Sequence, residues 1–272
     1  MIRNRKKSVS FLAISIIGAI LCASSYATPV AVKFREGVIH SFVIVSSMDG
    51  QTIGHGELTQ VPKGRDLVER RLIFRFKDGS VHDERAAFTQ QDVFTLTSYR
   101  LTQRGPVFPE QLDAAVDRRT GEYKVISREH NEKEELLTGY LEDIPGDVSN
   151  GIVVAMLNNI PKGTNQIVST LIFTPKPKVV PLHLLFVGNQ SLQVGGRAIN
   201  VKRYAFEPEL GTVQTLLGKM FGKPPLYFRY DCWILDDDVP GFVRFDGRLQ
   251  VKAPIMRIEM ASPRLPSNIA AQ

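Results

Sequence analysis

Five histidines (His40, His55, His82, His130 and His183), two cysteines and two short acidic runs are the residues of this 272-residue chain whose chemistry extends beyond packing. The histidines are scattered. None stands in a His-Glu-x-x-His or His-x-His spacing, the patterns that bring two imidazoles onto one metal ion. Cys22 lies in the N-terminal segment, so Cys232 has no second thiol with which to build a metal site or an intramolecular disulfide. There is no Gly-x-Ser-x-Gly elbow and no phosphate-cradling Gly-x-x-x-x-Gly-Lys-Ser/Thr loop. No metal and no cofactor are expected, and no catalytic residue is assigned. Catalytic triads are assembled in space rather than in sequence, so an enzyme stays open as the alternative.

His82-Asp83-Glu84 is the most reactive-looking cluster, a base beside two acids. It closely follows the Asp78-Gly79 turn, with Arg75 and Arg85 near enough to pair with it, and reads as a solvated hairpin tip. Asp236-Asp237-Asp238 lacks the alternating oxygen ligands and the distal Glu of a calcium loop, and reads as a polar turn between strands. Cys232 shares a strand face with Phe228, Tyr230 and Ile234, which suits a buried small hydrophobe better than a nucleophile. Trp233 points the other way with Tyr227 and Leu235. Aromatics on both faces imply a sheet covered on both sides there, by a helix or by a ligand, the best sequence hint of a cavity. The ligand-binding residues themselves stay unassigned.

The elements that must position these groups are mostly strands. Asp-Gly pairs at 49–50, 78–79 and 246–247 supply the positive φ angles of tight hairpin turns, and Thr120-Gly121 does the same between Leu112–Arg118 and Glu122–Arg128. Period-two patterns surround them: Leu72, Phe74 and Phe76 alternate with Arg71, Ile73 and Arg75. About a dozen strands are expected between Gly37 and Met260, with no strand–helix alternation of the α/β kind. The fold class is mainly β: a large curved antiparallel sheet, half-barrel or open barrel-like, carrying about two short helices. The first helix has Ser149 as its cap and Ile152, Val153, Met156, Leu157 and Ile160 on one face, stopped by Pro161 and Gly163. The second runs from Thr212 with Val213, Leu216, Leu217, Met220 and Phe221 as its apolar stripe, stopped by Gly222 and Pro224-Pro225. Both are expected to pack on the open face of the sheet.

Residues 1–27 read as a secretory signal: a basic stretch Arg3–Lys7, an apolar run from Val9, and small residues Ser25 and Ala27 before a cut between Ala27 and Thr28. The apolar run to Cys22 is shorter than the ~20 residues of a membrane-spanning helix, so no stable span is expected after cleavage. Leu21 before Cys22 is too large for a lipoprotein signal. Residues 28–263 then form one β-rich domain and 264–272 a frayed tail, with Thr174–Lys178 a proline-rich hinge that would divide two lobes. The net charge of +6 is concentrated at the N-terminus; without Arg3, Arg5, Lys6 and Lys7, 30 basic residues face 28 acidic ones. That balance does not suit a nucleic-acid binder. The address is the periplasm or exterior of a bacterium.

Phe76-Lys77-Asp78-Gly79-Ser80, Gln103-Arg104-Gly105-Pro106-Val107-Phe108-Pro109, Thr174-Pro175-Lys176-Pro177, Trp233-Ile234-Leu235 and Phe242-Val243-Arg244-Phe245 together resemble an uncharacterised family of exported bacterial β-rich proteins. The likeness runs from about Gly37 to Pro263, and these domains are distantly similar to the half-barrel sheets of periplasmic lipoprotein carriers. The resemblance implies a fold and carries no activity or catalytic residues. The expected role is a non-catalytic cell-envelope protein binding a lipid or other apolar ligand, or a partner envelope protein through an exposed strand edge. The alternative is a periplasmic hydrolase on the same scaffold with His82 or His183 as base.

Overall fold

A computed structural model describes residues 27–129, 132–173, 176–210 and 229–261. Fourteen strands follow one another along the chain. The first eight are β1 (Ile39–Ser47), β2 (Thr52–Lys63), β3 (Leu67–Phe76), β4 (Val81–Gln90), β5 (Phe94–Arg104), β6 (Glu110–Asp117), β7 (Glu122–Glu129) and β8 (Glu135–Tyr140). After one helix, α1 (Val153–Asn159), come β9 (Gln166–Ile172), β10 (Lys178–Val194), β11 (Arg197–Pro208), β12 (Tyr230–Leu235), β13 (Phe242–Gly247) and β14 (Met256–Met260). All strands join one antiparallel sheet in the order β8-β7-β6-β5-β4-β3-β2-β1-β14-β13-β12-β11-β10-β9. The sheet is mainly a meander, and β14 returns to lie beside β1, registering Val45 opposite Ile258. The sheet does not close: β8 and β9 are its two edges. The mainly β, open-sheet expectation holds.

Three of the four expected glycine turns form as expected. Gly50, Gly79 and Gly121 adopt φ of 91°, 86° and 77° between β1 and β2, β3 and β4, and β6 and β7, a region open to glycine at little steric cost. The fourth is corrected: Asp246-Gly247 ends β13, with Gly247 paired to Met256 rather than turning. A Cβ at Gly247 would stand 2.5 Å from the Phe245 ring, so glycine is there to let two aromatic rings close over the backbone.

The period-two pattern gives the sheet an inner face and an outer face. One inner row runs Phe76, Gly54, Val45, Ile258, Phe245, Cys232, Tyr204 across seven strands. The sheet curls around that face. Its core joins Phe88, Leu96, Tyr99, Ala114 and Val125 from one end to Val168, Leu184 and Phe206 from the other, with Ile152, Met156 and Leu157 of the α1 region between them. A second cluster, Val45, Phe74, Phe76, Phe108, Ala253 and Met256, joins strands β1, β3 and β14 to the β5–β6 and β13–β14 connections.

Helix α1 differs from expectation at its start. Ser149 is buried and no side chain caps the helix; Ile152 occupies the N-cap position, its N–H donating to the Ser149 carbonyl in a preceding turn. The segment begins inside the curled sheet, where packing of Ile152 and Met156 replaces the cap. The second expected helix, Thr212–Phe221, lies outside the described residues, so α1 is the one helix among those described. The signal segment up to Tyr26, the tail, and Thr174-Pro175 of the expected hinge also lie outside them. The strands flanking that hinge pair directly, Ile172 opposite Lys178.

Candidate ligand cavity

Between the inner face and α1 lies a cavity of about 710 Å³, within the size range of small-molecule sites. Its wall from β2, β3 and β5 carries Leu58, Leu72, Phe74 and Leu101, and β14 and β13 add Ile258 and Phe245. Val153 and Val154 of α1 face the same space, as does the segment Phe34–Gly37. The apolar lining follows from strand alternation: every second residue of β2, β3 and β5 turns inward.

The segment ahead of β1 is tied down by three buried side-chain amides. Asn159 Oδ1 accepts from the backbone N–H groups of Lys33 and Phe34, both at 2.6 Å. Gln90 Oε1 accepts from the N–H of Glu36 while its Nε2 donates to the Glu36 carbonyl. Gln60 Nε2 donates to the Glu36 carboxylate at 2.8 Å and to the Gly37 carbonyl. Glutamine on the inward register of a strand is the signal that would have located this strap from sequence.

The acidic histidine cluster is not a solvated hairpin tip. Alternation along β4 separates its members. Asp83 faces outward, where Arg71 grips it bidentately at 2.9 and 2.7 Å and Arg85 adds longer bonds; Arg75 is not the partner. Burial alone would raise the Asp83 carboxyl, but the two arginines hold it down to about 2. His82 and Glu84 face inward and line the cavity. The Tyr99 hydroxyl donates to Glu84 Oε1 at 2.8 Å, and burial raises the Glu84 carboxyl above the ordinary range.

His82 is 4% exposed, and burial lowers its pKa to about 4, so the ring is neutral at pH 7. Its tautomer is set by neighbours. Gln250 Nε2 donates to Gln103 Oε1, and Gln103 Nε2 donates to the Leu249 carbonyl, which fixes the Gln103 amide. The same Nε2 lies 3.1 Å from His82 Nδ1. Nδ1 therefore accepts, and the ring proton resides on Nε2.

His183 lies on the opposite face of the sheet, opposite Glu207 in register, with Glu209 at 3.4 Å. The two histidines cannot serve one site. Cys232 is 1% exposed, and burial pushes its thiol far above the ordinary range, as suits a buried hydrophobe. Asp236–Asp238 lies between β12 and β13, with Asp236 taking Lys162 at 2.6 Å. Trp233 is buried on its own face of the sheet against Val201 and Val243, with Leu192 and Leu235 beside them. Arg203 and Arg244, opposite it on adjacent strands, place guanidinium carbons 5.4 and 5.6 Å from its ring centre, and its Nε1 donates to Gln190. The cavity opens on the Cys232 face instead, where Tyr230 and Cys232 line it. Tyr227 and Phe228 lie outside the described residues.

A larger depression of about 1130 Å³ is lined by the outward row Thr59, Arg71, Arg85, Arg100, Lys124 and Thr138. Three of its cations already hold carboxylates: Arg71 and Arg85 hold Asp83, and Arg100 holds Asp113. It is a polar sheet surface rather than an apolar site. No protein family, curated protein or solved structure matches this chain.

Proposed function

We propose that this protein is an exported, non-catalytic binding protein of the bacterial cell envelope that holds a lipid or similar apolar molecule inside its curled sheet. One observation carries the reading: a cavity walled by Leu58, Leu72, Phe74, Leu101 and Ile258, with a few polar groups at fixed positions. Apolar walls with a small number of oriented polar groups are the general make-up of small-molecule sites. Export follows from the basic, apolar and small-residue pattern of residues 1–27. The test is intact mass and organic extraction of protein recovered from its own host. A chain beginning at Thr28 with a stoichiometric apolar molecule supports the reading; a chain retaining residues 1–27, or one carrying no extractable molecule and unable to take one up, contradicts it.

A second reading, docking of a partner envelope protein by strand addition, draws on the sheet edges. Edge β9 is covered by its own chain: Thr28 N–H donates to Ile167, Ser149 N–H to Ser169, and Asn150 brackets Leu171 through both amide atoms. Edge β8 has no such cover among the described residues, and Leu136 and Tyr140 are exposed on it. Such an edge accepts an extended partner segment. A Leu137→Pro variant that still recovered the same stoichiometric partner in pull-down would sink this reading.

A further inference from the structure

Arg70 stands out among the cavity groups. It lies on the inward register of β3, opposite Gln60 on one side and Ala86 on the other, in the row that continues to Tyr99. Its side chain lines the cavity. Among the described residues no hydrogen bond or ion pair reaches its guanidinium. The negative groups acting on it from a distance are Glu36 and Glu84, and each already has a donor: Gln60 Nε2 on Glu36 and the Tyr99 hydroxyl on Glu84. A guanidinium presents five donors in a planar fork that matches a carboxylate, and leaving them unmet in an apolar space is costly. Of the other cations lining the cavity, Arg35 already holds Asp66 and Arg248 donates to the Ala253 carbonyl. The buried Glu84 carboxyl keeps its proton more readily than an exposed one, and His82 offers a neutral ring whose proton is on Nε2.

Resting on the cavity reading above, we propose that the ligand is an acidic amphiphile of the fatty-acid type, its carboxylate held by Arg70 and its alkyl chain lying along Leu72, Phe74 and Leu101. The pairing is non-covalent and consumes no co-reactant. It places the acid group beside β3 and the chain toward the middle of the sheet.

The experiment is displacement of the neutral fluorescent probe N-phenyl-naphthylamine from delipidated protein by dodecanoate and by dodecanol, in wild type, Arg70→Gln and Arg70→Lys. In wild type the acid is expected to compete about 10- to 100-fold more tightly than the alcohol, the factor of a charge-assisted hydrogen-bonded pair. Arg70→Gln brings the two to parity by weakening the acid alone, and Arg70→Lys restores part of the difference. Equal competition by acid and alcohol in wild type overturns the proposal while leaving an apolar cavity in place. Equal weakening of both ligands in Arg70→Gln also overturns it, since Arg70 would then shape the cavity rather than bind the head group. If neither probe nor ligand binds wild type, the cavity reading fails and this inference with it. Should Arg70→Gln not fold, the acid-to-alcohol ratio of wild type decides alone.

Discussion

Tyr99 lies nearly parallel to Phe173, ring centres 5.8 Å apart and planes inclined by 9°. Tyr99 is on β5, and Phe173 follows edge strand β9, ten places away in the order of the sheet. Laid flat at ~4.8 Å per strand, that separation would be roughly 50 Å. The contact therefore marks how far the sheet curls, and it closes one side of the cavity by bringing Glu84, through the Tyr99 hydroxyl, beside Asn150 of the α1 approach.

This clasp makes Phe173 a stability hot point. Phe173 is buried, and Phe173→Ala is expected to cost about 3–5 kcal/mol in denaturant unfolding, with Phe173→Leu costing less than about 2 kcal/mol. An Ala variant within 1 kcal/mol of wild type, on the order of a surface change, would mean that the two ends of the sheet do not depend on this contact.

His82 gives the protein an acid-sensitive term. In the unfolded chain the imidazole binds its proton below about 6.5; in the fold it stays neutral down to about 4 because it is buried. Between those values the unfolded state binds more protons, so stability rises with pH and is lost on acidification. The gap corresponds to about 3 kcal/mol. Wild type should lose that much more than His82→Gln on going from pH 7 to pH 4, measured by urea unfolding. Parallel pH profiles for the two proteins would show that His82 is not the titrating group.

Asn159 holds the strap over the cavity. Asn159→Ala leaves the Lys33 and Phe34 N–H groups without their acceptor and removes the donations of Nδ2 to Phe34 and Ala155. The expected cost is about 2–4 kcal/mol, with faster tryptic cleavage after Lys33 and Arg35 under native conditions. Unchanged cleavage would show that Gln60 and Gln90 suffice to hold the segment.

Period two and Asp-Gly turns made the strands legible, because alternation and positive φ are local properties of a few residues. The Asp246-Gly247 pair misled because glycine serves two purposes, and here it admits the Phe245 and Tyr230 rings rather than a turn. The His82-Asp83-Glu84 cluster was misplaced for a related reason. A turn two residues upstream suggested solvent, yet alternation sends Asp83 out to Arg71 and brings His82 in against Phe74 and Phe108. The cavity was the least legible feature. Arg70, Glu84, Gln60 and Gln103 come from three hairpins that meet only through the sheet register, and no short-range pattern records such a meeting. An inward-register arginine in β3 was the available signal.

Cys232 is expected to be inert. In protein beginning at Thr28, an aromatic disulfide reagent should label no thiol in the native state and one in urea, since the sulfur is 1% exposed and burial raises its pKa. Rapid native labelling would place solvent on the inner face beside Tyr230, against an apolar wall of the cavity.

The most direct measurement is titration of delipidated protein with N-phenyl-naphthylamine, comparing wild type with Leu72→Trp and Leu101→Trp, which put bulk into the cavity from β3 and β5. One saturable site per chain in wild type, weakened about tenfold or more in both variants at unchanged Tm, is the predicted result; tenfold is about 1.4 kcal/mol of lost binding. Equal binding by all three proteins, or no saturable binding by wild type, would contradict a ligand cavity inside the curled sheet.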